Sequence, residues 1–108
     1  MRGEVYELSR PKDVLGHEQR GERYAVVVQA SELAALSTWI VCPTSTRAQP
    51  ASFRPVIDFG AGETLVMVDE MTVISPPSRL GRQVGYLPAG GPEMRAIDAA
   101  IAVVLNLD

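Results

Sequence analysis

The chain has 108 residues, of which 46% are hydrophobic and 21% are charged, and its net charge at pH 7 is −3. These values are typical of one globular domain spanning 1–108 and exclude a disordered polypeptide. No apolar run reaches the roughly 20 residues that a transmembrane helix needs. The N-terminus has no signal-peptide core, so we expect a cytoplasmic protein without a membrane partner. The single cysteine, Cys42, excludes an intrachain disulfide.

The acidic balance argues against the simplest kind of nucleic-acid-binding domain. The sequence pI is about 5.1, whereas a domain that presents a basic face to nucleic acid has a pI above ~9. A local potential can nevertheless oppose the net charge of the whole molecule. Any site for nucleic acid must therefore depend on clustered arginines, and the candidates are Arg20, Arg23, Arg47 and Arg54.

Short apolar and β-branched runs, separated by breakers, predict a chain made mainly of strands. The first strand is followed by a polar segment, 9–21, which we expect to be a loop. Pro43 should end the third strand, and Pro55 favours an edge position for the fourth. The predicted strands are 3–8, 24–29, 38–42, 52–59, 64–68, 71–74 and 82–87.

Two segments have helical patterns. Ser31 is a candidate N-cap for one or two helical turns over 31–36. A longer helix is predicted after Gly90-Gly91, with Pro92 at its first position. Its apolar residues recur with a period near 3.6, which predicts one buried face formed by Met94, Ile97, Ile101, Val104 and Leu105. Short strands and a terminal helix together predict a small, mainly β barrel with helical appendages.

Arg23 is the sharpest candidate for chemistry. It lies where the polar loop enters a buried strand, and its planar, permanently charged guanidinium suits a phosphate group. The alternative is an ordinary loop arginine paired with Glu18 or Glu22. Glu18 could accept a proton from a ribose hydroxyl if its pKa is raised, or it could be a solvated charge that orients Arg23.

A second polar cluster follows the third predicted strand. Thr44, Ser45 and Thr46 place three hydroxyls beside Arg47, where they could donate to phosphate oxygens. The alternative is a turn in which the hydroxyls satisfy local backbone groups.

The remaining polar residues suggest no cofactor. His17 is the only histidine, and it is either an acid or base with an ordinary pKa of ~6.5 or a silent loop residue. No second Cys or His stands at metal-ligand spacing, so we predict no metal site. Gly60-Ala61-Gly62 lacks the lysine and the following helix of a phosphate-binding loop.

The order of these motifs resembles that of the MazF/PemK toxin endoribonucleases. The opening Arg2-Gly3-Glu4-Val5-Tyr6 is similar to the family's first strand. Gly16, Glu18 and Arg23 follow at the family's usual spacing. The later matching segments are Pro43-Thr44-Ser45-Thr46-Arg47, 68–73 and 79–87.

The resemblance implies an SH3-like barrel of the CcdB/PemK type with a C-terminal helix. It also implies a metal-free and cofactor-free endoribonuclease that cleaves single-stranded RNA. Attack by the RNA's own 2′-OH would leave 2′,3′-cyclic phosphate and 5′-OH ends. Such toxins act as homodimers, and a cognate antitoxin occupies the RNA groove.

The same resemblance implies roles for individual residues. Arg23 would stabilise the phosphorane, Ser45 or its neighbour Thr44 would hold a non-bridging oxygen, and Glu18 would assist proton removal or orient Arg23. The expected RNA-binding residues are His17, Arg20, Thr46, Arg47 and Arg54. Tyr24 stands where the family usually has proline, and His17 stands where it usually has serine.

Two other functions are compatible with the same fold. Gyrase-poisoning toxins bind a protein target through the terminal helix and perform no hydrolysis. A catalytically inactive binding module is the third possibility. It would bind RNA in a salt-dependent manner without cleaving it.

Overall fold

The computed structural model describes residues 1–9 and 23–107. Most of the predicted loop 9–21 therefore lies outside the described residues, as do His17, Glu18 and Arg20. The strands are β1 (Glu4–Leu8), β2 (Tyr24–Val27), β3 (Trp39–Ser45), β4 (Val56–Asp58), β5 (Glu63–Val66), β6 (Thr72–Ile74) and β7 (Leu80–Tyr86). The helices are α1 (Pro76–Arg79) and α2 (Pro92–Leu105).

The strands form one antiparallel sheet that curls around β3. Its order is β4-β5-β3-β2-β1-β7, and β6 pairs with β3 as a side branch. The start of β3 pairs with β6, through Trp39 and Ile74. Its end pairs with β5, through Ser45 and Leu65. The prediction of a mainly β fold with a terminal helix is confirmed.

The two faces of the sheet bury two apolar clusters, because successive side chains of a strand point to opposite sides. Val26 lies in a larger cluster that α2 covers with Met94 and Ile97. Ala25 and Val27 lie in a smaller cluster on the other face. The continuous apolar run of β2 is therefore buried on both faces, as its composition predicts.

Arg2 joins the sheet to α2. Its Nε donates a hydrogen bond of 2.8 Å to the carbonyl oxygen of Val28, and its Nη2 lies 2.5 Å from Oδ1 of Asp98. The guanidinium of Arg2 thus fixes α2 against the end of β2.

The prediction that Pro43 ends the third strand is wrong. Pro43 lies inside β3 and pairs with Ala25 of β2. Its carbonyl oxygen accepts a hydrogen bond of 2.8 Å from the backbone of Met67. Proline has no N–H to donate, and it fits here because β3 changes neighbours at this point.

The fourth strand is shorter than predicted and the N-cap assignment is wrong. β4 begins after Pro55 and lies at the edge of the sheet, which agrees with the edge position expected from this proline. The segment after 30 forms a single 3-10 turn, Ser31–Leu33, and its N-cap is Ala30 without a side-chain hydrogen bond. The hydroxyl of Ser31 instead accepts from the backbone N–H of Arg2 at 3.1 Å.

The C-terminal helix begins at Pro92, as predicted. Met94 and Ile97 are fully buried, whereas Leu105 is 53% exposed and lies beyond the buried face. Asn106 ends the helix in a left-handed conformation, with φ of 58°.

Replacing Gly3 should destabilise the fold more than replacing a glycine of a free turn. Gly3 has φ of +94°, and a Cβ there would lie 2.2 Å from the carbonyl oxygen of Leu87. We expect Gly3→Ala to lower the free energy of unfolding by about 2 kcal/mol or more, measured in urea. Gly60→Ala is the control, since Gly60 has φ of +114° and no atom within 4 Å of the added Cβ. Equal losses of unfolding free energy in the two variants would show that the clash with Leu87 does not destabilise the fold.

Stability should also fall at alkaline pH because of Tyr6. Burial raises the pKa of Tyr6 to about 12, and the hydrogen bond of 2.7 Å that its hydroxyl donates to Glu4 acts in the same direction. The unfolded phenol has a pKa of ~10. The folded state therefore holds this proton more tightly, and the stabilisation is complete below pH 10 and is lost towards pH 12. Urea midpoints between pH 9 and 12 should fall less steeply for Tyr6→Phe than for the native protein.

Candidate functional site

A cavity of about 290 Å³ opens where β2, β3 and β5 meet. It is lined by two arginines, a cluster of hydroxyls, two aromatic rings and the turn between β4 and β5. The lining residues are Arg23, Tyr24, Thr44, Ser45, Thr46, Arg47, Phe59, Ala61, Gly62, Glu63 and Thr64.

The pairing of β2 with β3 brings Arg23 and Ser45 together. Ala25 pairs with Pro43, and the same register continued by two residues places Arg23 opposite Ser45, with both side chains on one face. The backbone of Arg23 is held in place because its carbonyl oxygen accepts a hydrogen bond of 2.9 Å from Leu8.

Ser45 ends β3 with a turn built on its own side chain. Its Oγ accepts hydrogen bonds of 3.1 Å from the backbone N–H groups of Arg47 and of Ala48. A hydroxyl oxygen has two lone pairs and one proton. Since two backbone groups occupy the lone pairs, the proton remains available to a ligand in the cavity. The turn interpretation is therefore correct for Ser45, whose hydroxyl still has a proton to donate.

Thr44 differs from Ser45 in exposure. Only 4% of Thr44 is accessible to solvent, and it pairs with Val66 of β5. Alternation along β3 places its side chain on the face opposite to that of Ser45. The sequence leaves the hydroxyls of Thr44, Ser45 and Thr46 open as the phosphate donor, and all three residues line the cavity. The burial of Thr44 makes Ser45 the better candidate of these two.

The arginines of the cavity are not neutralised within the part of the chain that the structure describes. Its four ion pairs are Met1–Glu4, Arg2–Asp98, Arg54–Asp69 and Arg82–Glu7. Neither Arg23 nor Arg47 takes part in any of them. Two arginines that form no ion pair among the described residues and line one cavity suit an anionic ligand.

Arg54 does not line the cavity. Its Nη2 lies 2.9 Å from Oδ2 of Asp69, its Nε lies 3.1 Å from Oδ1, and its Nη1 donates to the carbonyl oxygen of Gln49 at 2.9 Å. The Arg54 hydrogen bond holds the pKa of the Asp69 carboxyl below its usual value. Arg54 thus anchors the loop after Arg47 to the 3-10 turn Val68–Glu70.

An aromatic pair forms one wall of the cavity. The rings of Tyr24 and Phe59 meet edge to face, with centroids 5.0 Å apart and an interplanar angle of 72°. A Cβ on Gly85 would lie 2.9 Å from the Cβ of Phe59, so the absence of a side chain there allows Phe59 its position.

Sequence reasoning assigned no site role to Phe59 or Glu63. The only local signal was the turn Gly60-Ala61-Gly62, which separates two predicted strands. Pairing of β5 with β3 brings this turn to the ends of β2 and β3, and such a contact between distant segments leaves no periodic signal.

The other polar candidates have clear positions. Cys42 is fully buried, and this burial raises the pKa of its thiol to about 12. Cys42 is thus a small residue of the apolar core. Residues 1–9 and 23–107 contain no group of three or more His, Cys, Asp or Glu side chains that could hold a metal ion.

No helix in these same ranges is long and apolar enough to cross a bilayer.

Together, the described residues form a small antiparallel barrel with a terminal helix, and a cavity lined by two arginines and several hydroxyls lies at its strand ends. Residues 1–105 match the model of the PemK-like, MazF-like toxins of type II toxin-antitoxin systems. The chain therefore belongs to this family and is a toxin of a toxin-antitoxin system.

Individual relatives agree with this assignment. The Mycobacterium tuberculosis protein Rv3098A, which is named as a toxin candidate, is 38% identical over 107 residues, covering 99% of this chain and 98% of the relative. The M. tuberculosis toxin MazF-mt6 has the same fold, with a TM-score of 0.77 at 21% identity, covering 97% of this chain and 98% of that one. A mycobacterial endoribonuclease solved with its cognate antitoxin superposes with a TM-score of 0.78 at 18% identity, covering 100% and 96%. The expected CcdB/PemK-type barrel is confirmed.

Removing the Ser45 hydroxyl should weaken the turn at the end of β3. We expect Ser45→Ala to lower the free energy of unfolding by about 1 kcal/mol, because two backbone N–H groups lose their acceptor. Thr46→Ala is the control, because Thr46 is exposed and its side chain takes no part in the two hydrogen bonds that close this turn. Both variants are compared with the native protein by urea denaturation. Equal stability of the two variants would contradict the turn's dependence on Ser45.

Proposed function

We propose that this toxin is a sequence-specific, metal-independent endoribonuclease that cleaves single-stranded RNA and so inhibits translation and growth. The observation that carries the proposal is the position of Arg23. Arg23 has no ion-pair partner among the described residues, and it lines one cavity with Ser45, whose Oγ accepts two backbone hydrogen bonds and keeps its own proton to donate.

The chemistry needs little from the protein besides positioning and charge. The 2′-OH of the RNA is the nucleophile, and it must be aligned with the scissile phosphorus. As the 2′-oxygen attacks, negative charge accumulates on the non-bridging oxygens of the phosphorane. Arg23 stabilises that charge, and Ser45 donates a hydrogen bond to one of these oxygens. Arginine is a poor proton acceptor because its guanidinium stays protonated at physiological pH, so its role is electrostatic.

Proton transfer is assigned to Glu18. This residue lies outside the described part of the chain, and its role comes from the resemblance of the Gly16, Glu18 and Arg23 spacing to the family pattern. Glu18 accepts the 2′-OH proton, or it orients Arg23 while water accepts that proton. As the bond between phosphorus and the 5′-oxygen breaks, the 5′-oxygen takes a proton from the protonated Glu18 or from water. The products are a 2′,3′-cyclic phosphate and a 5′-OH end.

The residues around the cavity rim bind the rest of the RNA. Arg47 and Thr46 are exposed beside Ser45, and we assign them, with His17 and Arg20 of the first loop, to the flanking phosphates. Arg54 contributes to RNA binding indirectly, because its hydrogen bonds to Asp69 and Gln49 hold the loop that begins at Arg47.

We further propose that the toxin is a cytoplasmic homodimer and that its cognate antitoxin blocks RNA binding. The related mycobacterial endoribonuclease was solved with its antitoxin. Arg23 and Arg47, which form no ion pair among the described residues, would attract an acidic antitoxin segment although the toxin as a whole carries a net charge of −3.

Cleavage in the absence of metal, and its dependence on Arg23, test the proposal directly. Purified toxin is incubated with a long single-stranded RNA in EDTA, and the fragment ends are identified. We expect cyclic-phosphate and 5′-OH ends at a short recurring sequence. Arg23→Ala should slow cleavage about 10²-fold or more, as the loss of one preorganised donor to a transition-state oxyanion does. Arg95→Ala, which removes an exposed arginine of α2, should retain native activity.

Other outcomes would contradict the proposal. Equal cleavage by native toxin and Arg23→Ala would exclude the assigned mechanism. Salt-dependent RNA binding without cleavage would identify a binding module. Intact RNA and no RNA binding would point to a protein target of the gyrase type.

A further inference from the structure

One residue of the cavity has no place in phosphate chemistry. Glu63 is an exposed carboxylate that lines the cavity together with Arg23 and Arg47, yet it forms none of the ion pairs found among the described residues. A carboxylate repels the RNA phosphates and so weakens binding of the backbone. Its presence in the cavity calls for a ligand group that carries hydrogen-bond donors.

The sheet register fixes where that group lies relative to the scissile phosphate. Ser45 pairs with Leu65, and Glu63 precedes Leu65 by two residues on β5. Alternation places Glu63 on the same face as Ser45, about 7 Å further along the strand. This offset keeps the carboxylate away from a phosphate held by Ser45 and leaves room for another part of the same nucleotide beside it.

The surroundings of Glu63 also fit a base. Glu63 pairs with Asp58 at the end of the β4–β5 hairpin, where Oδ1 of Asp58 accepts a hydrogen bond of 2.8 Å from Gly60 and so closes the turn. Phe59, packed against Tyr24, lies in the same turn and supplies an apolar wall on which a base can pack. The volume of about 290 Å³ is at the small end for ligand sites and suits a single nucleotide.

Hydrogen-bond chemistry selects among the four bases. An ionised carboxylate only accepts, and its two oxygens match two adjacent donors. Guanine alone presents such a pair, N1–H beside N2–H₂. Adenine and cytosine place one amino group beside a ring nitrogen that accepts, and uracil has its N3–H between two carbonyl oxygens.

We propose that this cavity binds a guanine base next to the scissile phosphate, with the Glu63 carboxylate accepting hydrogen bonds from N1–H and N2–H₂. This proposal deepens the endoribonuclease proposal and rests on it. It makes Glu63 a specificity-determining residue and makes guanosine part of the recognised RNA sequence.

The test measures binding of mononucleotides, which requires no cleavage. Affinities of the native toxin for 3′-GMP, 3′-IMP, 3′-AMP, 3′-CMP and 3′-UMP are compared by calorimetry or by chemical-shift titration. Inosine differs from guanosine only by the missing 2-amino group. We expect 3′-GMP to bind about 10-fold or more tightly than 3′-IMP and the other nucleotides, within the range of base discrimination by one bidentate contact.

Charge-matched variants separate base recognition from general electrostatics. Glu63→Gln should reduce the ratio of 3′-GMP to 3′-IMP affinity to about 1, because the glutamine amide offers one acceptor and one donor group. Glu32→Gln is the control, since Glu32 is an exposed carboxylate of the Ser31–Leu33 turn. It removes the same charge and should keep the native ratio. Glu63→Asp, which retains the carboxylate, should keep a preference for guanine.

The outcomes distinguish this inference from the function on which it rests. A native ratio near 1, no binding of 3′-GMP at millimolar concentration, or an unchanged ratio in Glu63→Gln would overturn the guanine assignment. Specific RNA cleavage in EDTA would still support the endoribonuclease in each of these cases. Conversely, a guanine preference that depends on Glu63 without RNA cleavage would support the base site and contradict the enzyme.

Discussion

The rest of the structure depends on the way β3 exchanges its hydrogen-bonding partners. Its first residues pair with β6, its middle pairs with β2 and its last residues pair with β5. The sheet must therefore curl, and the ends of three strands meet near Ser45. The helix α2 then covers the larger apolar cluster with Met94 and Ile97. The cavity is a direct result of this curl, because its walls come from segments that a flat sheet would keep apart.

The arginines of the molecule divide into those that the fold uses and those that it leaves uncommitted. Arg2 and Arg54 each join an aspartate and a backbone carbonyl oxygen, and so connect distant segments. Arg23 and Arg47 take part in none of the ion pairs of the described residues. Arg23 lies just before β2 and Arg47 lies just after β3. Because these two strands are antiparallel, both arginines lie at one opening. An acidic protein can thus present a positive site locally, since the potential in a cavity depends on nearby charges.

Glu63 adds a carboxylate to a cavity that is otherwise lined by arginines, hydroxyls and aromatic rings. A site that contained only cations and hydroxyls would bind any phosphate and would not distinguish one base from another. A carboxylate placed about 7 Å from Ser45 on the same face weakens backbone binding but allows a base to be selected. Tyr24 and Phe59 line the same cavity as Glu63 and pack edge to face against each other. Tyr24, which departs from the family's usual proline, is thereby part of the candidate base site.

The sequence by itself determined the strand-rich fold, the terminal helix and the group formed by Arg23, Thr44, Ser45, Thr46 and Arg47. These features depend on local apolar patterns and on polar residues at predicted strand ends, which short segments encode. The passage of β3 through Pro43, the burial of Thr44 beside the more exposed Ser45, and the positions of Phe59 and Glu63 were decided only by the tertiary structure. Each of them depends on pairing between segments distant in the chain, and that pairing follows from burial of the whole sheet and has no signal in any single segment.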